Sequence, residues 1–427
     1  MLNKIANPKR DKSSSTGRAG WYPYYAGFSA SFAESILDIY CEKQGARVLD
    51  PWNGSGTTTA SAAGRGLESL GFDLNPVMTL VARARLLNKR ERSSLLPLAR
   101  VALQLHLDLD TQRPDALSTW FEPSAVRCFR SIEAGIQRLL LESSPGRSMF
   151  CNMQENEFSD LLGFFYVAIF RTARTLLSSL QSSNPTWMKL PASPTDRLSP
   201  SKSVICDTFL ENVRKMERAL DVDTLEMDGR VRIEIASSTK VPVESASIDF
   251  VLTSPPYCTR IDYAAATRIE LAVLGIGEGT SFESLRRTFL GTPTVPKTAP
   301  LWKNAWGEIS RKFLEEVRSH PSRASETYYY KGHCQYFEGM QASIAELQRC
   351  IKPNGRACVV VQDSYYKDIH IDLPSICTQM AEASGLKLDI RKDFAQQKNL
   401  AQLNPRSKAY RARTPASESV LIFIKEG

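Results

Sequence analysis

Residues Ala46–Pro76 read ARVLDPWNGSGTTTASAAGRGLESLGFDLNP. A short apolar run ends at Asp50 and breaks into a loop containing Gly54 and Gly56. The small residues that follow have helical spacing, and Gly64 and Gly66 stop them. A second apolar run ends at Asp73, and Pro76 opens the next helix, PVMTLVARARLL. Strand, helix, strand, helix in so few residues predicts an α/β fold on a doubly wound, mostly parallel sheet.

Such a loop brings backbone close to a ligand, and an acid ending the second strand is placed to accept hydrogen bonds from ribose hydroxyls. The loop is not GxGxxG and has no Walker lysine, which argues against dinucleotides and ATP. Carboxylates on both sides suit a ligand carrying a ribose and an ammonium group, and S-adenosyl-L-methionine carries both. A plain tight turn bearing an aspartate fits the same pattern.

A second stretch, Val251–Arg260, reads VLTSPPYCTR. A buried strand ends here in a rigid Pro-Pro elbow, with a hydroxyl before it and an aromatic ring after it. An amino group conjugated to an aromatic ring is a poor nucleophile because its lone pair is delocalised. Fixed acceptors that draw on the N–H groups make the lone pair available. Ser254 Oγ and the Pro255 carbonyl are such acceptors, Pro255 and Pro256 stiffen the elbow, and Tyr257 offers a stacking face. A capped turn at a strand end is the bland alternative. Its pairing with a glycine loop at the end of another strand favours chemistry.

The rest of the chain fits one sheet with insertions. Residues 21–90, 230–274 and 331–427 carry the α/β rhythm, including the helix YFEGMQASIAELQRCI, a KPNG turn, the strand RACVVVQD and a closing strand SVLIFIK. Residues 91–229 are mostly helical in pattern and 275–330 read as loop-rich. Residues 1–20 are basic and expected to be mobile. Arg171 and Arg174 are expected to be solvated or snorkelling, Tyr328–Tyr330 to form a packed loop, and Cys258 to be packing rather than a nucleophile.

The 427 residues carry a net charge of +8, which suits a phosphate-rich partner. Arg406, Lys408, Arg411 and Arg413 crowd one stretch near the C-terminus, and with Arg260 and Tyr263 they are candidate DNA contacts. Nine cysteines without a CxxC pair and four scattered histidines argue against a metal site and a disulfide framework. The longest apolar run, LLGFFYVAIF, is too short to span a bilayer. No membrane association and a cytoplasmic location are therefore expected.

TSPPY together with DPWNGSGTT resembles the bacterial DNA amino-methyltransferases. WYPYYAGFSASFAESIL, TRIDYAAATRIELAVLG, ELQRCIKPNGRACVVVQDS and ESVLIFIK extend the resemblance, and TSPPY is similar to the branch that methylates cytosine N4. The resemblance implies a Rossmann-like, S-adenosylmethionine-dependent fold with a C-terminal antiparallel strand. It implies double-stranded DNA as substrate, with a cognate restriction endonuclease or defence-system subunit as a further partner. Implied cofactor residues are Phe28, Ser29, Asp50, Pro51, Asn53, Gly54, Gly56, Thr57, Asp73, Asn75 and Thr253; Ser254, Pro255, Pro256 and Tyr257 hold the base. Family members often have Gly-Asp-Ala where this chain has Ala236-Ser237-Ser238, so Ser237 or Ser238 stands in for the adenine-binding acid. The resemblance leaves adenine N6 as the alternative acceptor and an inactive DNA-binding subunit as the alternative role. It leaves either insertion as the target-recognition region, with 91–229 the first candidate. Carbon-5 methylation is excluded, because it needs a thiolate, typically in a Pro-Cys pair, and the chain has none.

Overall fold

The computed structural model describes residues 5–9, 16–24, 27–42, 45–105, 114–141, 158–182, 187–221, 229–258, 261–277, 279–395 and 417–427. Strands β1 (Arg47–Asp50), β2 (Glu68–Asp73), β3 (Val231–Ile235), β4 (Ile248–Thr253), β5 (Ile351–Gln362), β8 (Lys387–Ala395) and β9 (Ser417–Ile424) form one sheet in the order β3-β2-β1-β4-β5-β9-β8. β6 (Ser364–Tyr366) and β7 (Ile369–Ile371) make a separate hairpin. The first five strands of the sheet are parallel, and β9 runs antiparallel to both neighbours. β1 and β4 are adjacent, and the chain leaves them toward opposite sides, so a crevice opens at their carboxyl ends.

Alternation along the strands builds two buried layers. Phe250 and Leu252 of β4, Cys358 and Val360 of β5, and Val420 and Ile422 of β9 face helix α1 (Ala30–Tyr40) and helix α2 (Thr57–Ala63). Val251, Val359, Val361, Leu421 and Phe423 face the other way. Burial on both faces is why these strands read as continuous apolar runs. β8 closes one edge, with Lys387, Asp389, Arg391 and Asp393 exposed along it, as suits an edge that must not pair further.

A third apolar body lies beside the sheet. It joins α3 (Pro76–Arg85) to α4 (Arg92–Gln104), α5 (Pro123–Leu140), α6 (Asp160–Leu176) and α7 (Lys202–Ala219), and to α8 (Tyr263–Ala266), α9 (Arg268–Val273) and α10 (Thr280–Thr288). α11 (Glu308–Ser319), α12 (Tyr330–Cys350) and α13 (Leu373–Ala383) pack on the sheet's other face.

Several expectations need correction. The loop-rich stretch 275–330 carries α10, α11 and a π-helical turn, Ser325–Tyr329, that runs into α12. Tyr328 and Tyr329 are therefore helical, although packed: Tyr328 donates to the Pro293 carbonyl at 2.7 Å and Tyr329 meets the Tyr366 ring at 4.8 Å. The KPNG turn lies inside β5, where Asn354 has φ 65° and the register jumps from Ile248↔Ile351 to Phe250↔Arg356. Of the N-terminal stretch expected to be mobile, Ile5 is buried against Phe28 and Phe32, and Arg18 is buried in a 3-10 turn.

The largest correction concerns Arg171 and Arg174, which are not solvated. Arg171 donates to the Trp21 carbonyl at 2.7 Å and to Asn212 Oδ1 at 3.2 Å. Arg174 forms a two-pronged pair with Glu270 of α9, donates to the Ala266 carbonyl at 2.8 Å and lies over the Tyr22 ring. The Glu270 carboxylate is fully buried. A long apolar helix tolerates a cation when a carboxylate on the facing helix meets it, and that partner is invisible in the local pattern. Among the described residues no helix is long and apolar enough to cross a membrane.

Arg174→Met should destabilise the protein by about 3–5 kcal/mol, because it strands a buried carboxylate. Arg174→Met/Glu270→Leu should regain most of that loss. Urea unfolding of the two variants beside the parent measures both effects, and a double variant as weak as the single one would contradict the account.

Candidate active site

The site is assembled where β1 and β4 end. Asp50 is buried, and its carboxylate ties three elements together. Oδ1 accepts from Thr253 Oγ1 at 2.6 Å and from the Trp52 N–H at 3.1 Å, while Oδ2 accepts from Thr58 Oγ1 at 2.7 Å. Thr58 also bonds the Leu252 carbonyl. The glycine loop and the elbow are thus joined through one acid.

Gly54 and Gly56 both adopt positive φ, 48° and 79°. A Cβ on Gly54 would meet the Tyr24 hydroxyl at 2.8 Å, so the ring of Tyr24 lies against the loop. A Cβ on Gly56 would meet Ala82 Cβ of α3 at 2.8 Å. Gly56 caps α2, and Thr57 begins it. Arg85 reaches from α3 to Ser55 Oγ at 2.9 Å and to the Ala19 carbonyl at 3.0 Å, tying the loop to the N-terminal segment.

Asp73, half-buried at the end of β2, accepts from the N–H of Gly54 at 2.9 Å and of Asn75 at 2.8 Å. Two carboxylate oxygens keep further lone pairs after those bonds. Burial pushes both acids up, Asp50 to about 6 and Asp73 to about 6, against the lowering effect of their hydrogen bonds. Among the described residues no basic side chain pairs with either. Two uncompensated acids at neighbouring strand ends, with a glycine loop between them, suit a ligand with hydroxyl donors and positive charge.

Other expected cofactor residues also make contacts within the fold. Asn75 caps α3 through Val77 N and donates to Thr267 Oγ1 at 2.9 Å. Asn53 accepts from Thr59 and its side chain lies against Gly71. Ser29 caps α1, and Phe28 is buried against Phe32. Ser237 turns back on Thr239 beside the end of β3, whereas Ser238 is buried on Ser343. Pro51 follows Asp50 in the buried turn.

The elbow is held at both flanks. The Pro256 carbonyl accepts from Tyr336 Oη of α12 at 2.7 Å, and Tyr257 Oη donates to Glu418 of β9 at 3.0 Å. Among the described residues nothing donates to the Pro255 carbonyl. Tyr263 is half-buried, with its phenol against the Tyr257 backbone and its pKa pushed up by burial. It therefore sits beside the elbow. Cys258 is buried against His333 Nδ1 at 3.4 Å, a packing position. Arg260, Arg406, Lys408, Arg411 and Arg413 lie outside the described residues. Among those described, no group of three or more His, Cys, Asp or Glu side chains is disposed to hold a metal.

Tyr24, Tyr336 and Glu418 were not singled out by sequence. Tyr24 sits in the aromatic run WYPYY, which was a signal. Tyr336 and Glu418 lie in an ordinary helix and an ordinary strand and meet the elbow only through the fold.

A parallel sheet with two acids, a glycine loop and a Pro-Pro elbow at one edge suits a methyltransferase with a nucleoside cofactor. Residues 248–427 match the family described as DNA methylase (N6_N4_Mtase). The chain is 25% identical over 419 residues to the Type II methyltransferase M.AvaI of a Nostoc species, covering 91% of this chain and 83% of the relative. It is 21% identical to the Type II methyltransferase M.BsoBI of Geobacillus stearothermophilus, over 86% of this chain and 78% of the relative. It is 24% identical to M.MvaI of Kocuria varians, over 78% and 74%. Over most of its length the chain is thus similar to Type II DNA methyltransferases, and the likeness fits S-adenosylmethionine as cofactor.

Gly56→Ala adds a Cβ to a left-handed residue already touching α3. It should cost about 2–4 kcal/mol in thermal unfolding. A parent-like melting temperature would show that the loop is not constrained as described.

Proposed function

We propose that this DNA methyltransferase acts on the exocyclic N4 amino group of cytosine, as the modification partner of a Type II restriction endonuclease. The observation that carries the reading is the elbow. Pro256 O is occupied by Tyr336 and Tyr257 Oη by Glu418, which leaves Ser254 Oγ and the Pro255 carbonyl to receive an amino group. The names of the relatives support the Type II setting. Ser254, where adenine-N6 enzymes mostly carry an acid or amide, supports cytosine.

In this reading the target base leaves the duplex, at a cost of a few kcal/mol, and enters the crevice. Its two N–H bonds point at Ser254 Oγ and Pro255 O, which draw the lone pair out of the ring plane as nucleophilicity develops. Tyr257 and Tyr263 flank the ring. Asp73 accepts from ribose hydroxyls, while Asp50 holds the loop and elbow in register. Bound S-adenosylmethionine supplies an electrophilic methyl group on a sulfonium. Attack is direct, so no covalent enzyme intermediate forms. Helices α4–α7 are the proposed target-recognition region, because they are built on α3, which starts three residues beyond Asp73.

Nucleoside analysis of DNA from cells expressing the chain should reveal N4-methylcytosine. N6-methyladenine in its place would reassign the acceptor. Ser254→Ala should lower turnover about a hundredfold with little change in cofactor affinity, since it removes a bond that matters mainly in the transition state.

Protonation of Asp73 gives a second test. Both acids hold protons more tightly folded than unfolded, so their share of stability falls as pH rises from about 4 to about 6. Cofactor binding runs the other way, because the ionised carboxylate is the better acceptor. Calorimetric affinity for S-adenosylmethionine should fall as pH drops through about 6. In Asp73→Asn binding should be weak throughout and most of that pH dependence lost. A parent-like profile in this variant would remove Asp73 from the ribose.

A further inference from the structure

A serine hydroxyl is donor and acceptor alike, so a useful acceptor at Ser254 requires its own proton to be disposed of elsewhere. The structure supplies a place. Glu418 stands at the start of β9, opposite Gln362 at the end of β5. Because β9 is antiparallel, its first residues lie at the carboxyl edge of the sheet, beside the elbow. Glu418 is only 4% exposed and accepts from Tyr257 Oη at 3.0 Å. The Ser254 side chain lies beside the same phenol, near enough for a donor there to act against the rise in the phenol's pKa. A carboxylate only accepts, so Tyr257 spends its single proton on Glu418. Its oxygen is then an acceptor, and the Ser254 proton goes to it.

We infer that Glu418 is a positioning residue that orients a hydroxyl chain, Ser254 to Tyr257 to Glu418, so that Ser254 Oγ meets the substrate amine only as an acceptor. The inference rests on the amine-methylating reading of the elbow and extends it to a residue 161 positions away in sequence. No bond is made or broken in the chain. It fixes the direction of two hydrogen bonds before substrate arrives, the kind of preorganisation that contributes most in a dry site. It also gives Tyr257 a role that its ring alone does not explain, since phenylalanine would stack equally well.

Two measurements test this on the purified full chain. Tyrosine Raman difference spectra, parent minus Tyr257→Phe, isolate Tyr257 and separate a donating from an accepting phenol without turnover. A strong donor is expected in the parent, and loss of that character in Glu418→Leu. Single-turnover methylation of a duplex carrying the parent's own target site is the second measurement. Tyr257→Phe and Glu418→Leu should each be about tenfold slower at unchanged cofactor affinity. The double variant should be no slower than the slower single variant, because both changes break one chain. Tyr257→Phe preserves the ring and its packing, so its rate stands even where Glu418→Leu folds poorly. Parent-like rates in Tyr257→Phe, multiplicative losses, or a phenol in the parent that accepts without donating would each overturn the inference. A parent chain that methylates no DNA sinks the functional reading instead, and the spectra still judge the chain.

Discussion

Everything at the catalytic edge depends on the Asp50 carboxylate. It sits between the ends of two strands that the chain reaches 203 residues apart, and it binds a hydroxyl from β4, a hydroxyl from α2 and a backbone N–H of its own loop. Desolvating a carboxylate is expensive unless its lone pairs are filled. Here they are filled by groups that belong to the two halves of the site, so the cost of burying the charge is offset only when loop and elbow are in register. The raised pKa is the residue of that cost. A single acid thus couples the placement of the glycine loop to the placement of the Pro-Pro elbow.

A second buried acid extends the coupling outward. Glu270 follows the elbow on α9 and is matched by Arg174 on α6, 96 residues earlier, while Asn75 at the start of α3 donates to Thr267 just before α9. The segment after the catalytic motif is therefore gripped from both the cofactor side and the helical side. A sheet-edge site needs such restraint, because loops beyond strand ends otherwise have few buried contacts. The same arrangement explains why α4–α7 share one core with α3 and α9 rather than forming a separate body.

The sheet was largely legible in the sequence because its evidence is local. Apolar runs ending at Asp50, Asp73 and Thr253, with glycine or proline immediately after, mark strand ends whatever the remainder of the chain does. The glycine loop and the Pro-Pro elbow were legible for the same reason. What the sequence concealed is pairing across distance. Nothing near Arg174 announces Glu270, so a cation on an apolar helix reads as a snorkelling one. Nothing near Glu418 announces Tyr257, since their meeting depends on β9 entering antiparallel between β5 and β8. Several residues expected at the cofactor, Asn53, Asn75 and Ser29 among them, also hold helix starts and loop backbone. Short polar side chains at strand ends serve caps and ligands by the same hydrogen-bonding chemistry, and sequence alone does not separate the two.

The elbow shows how proline and tyrosine divide one task. Two consecutive prolines contribute carbonyls without N–H groups, so the acceptors at this strand end have no donors of their own to compete with an incoming amine. Carbonyls so freed must still be kept apart, because two unpaired ones beside each other would attract the same donors, water included. Tyr336 resolves this by taking the Pro256 carbonyl, and Glu418 takes the phenol of Tyr257. Each tyrosine removes one hydrogen-bonding choice from the elbow. Under the proposed function, selectivity for an amino group follows from subtraction: after the internal bonds are made, acceptors remain and donors do not. In that reading a carbonyl oxygen offered by a base meets no hydrogen at Ser254 or Pro255, whereas an exocyclic NH₂ meets two acceptors. The proposed discrimination between the amino and the oxo face of a base then resides in bonds that never touch it.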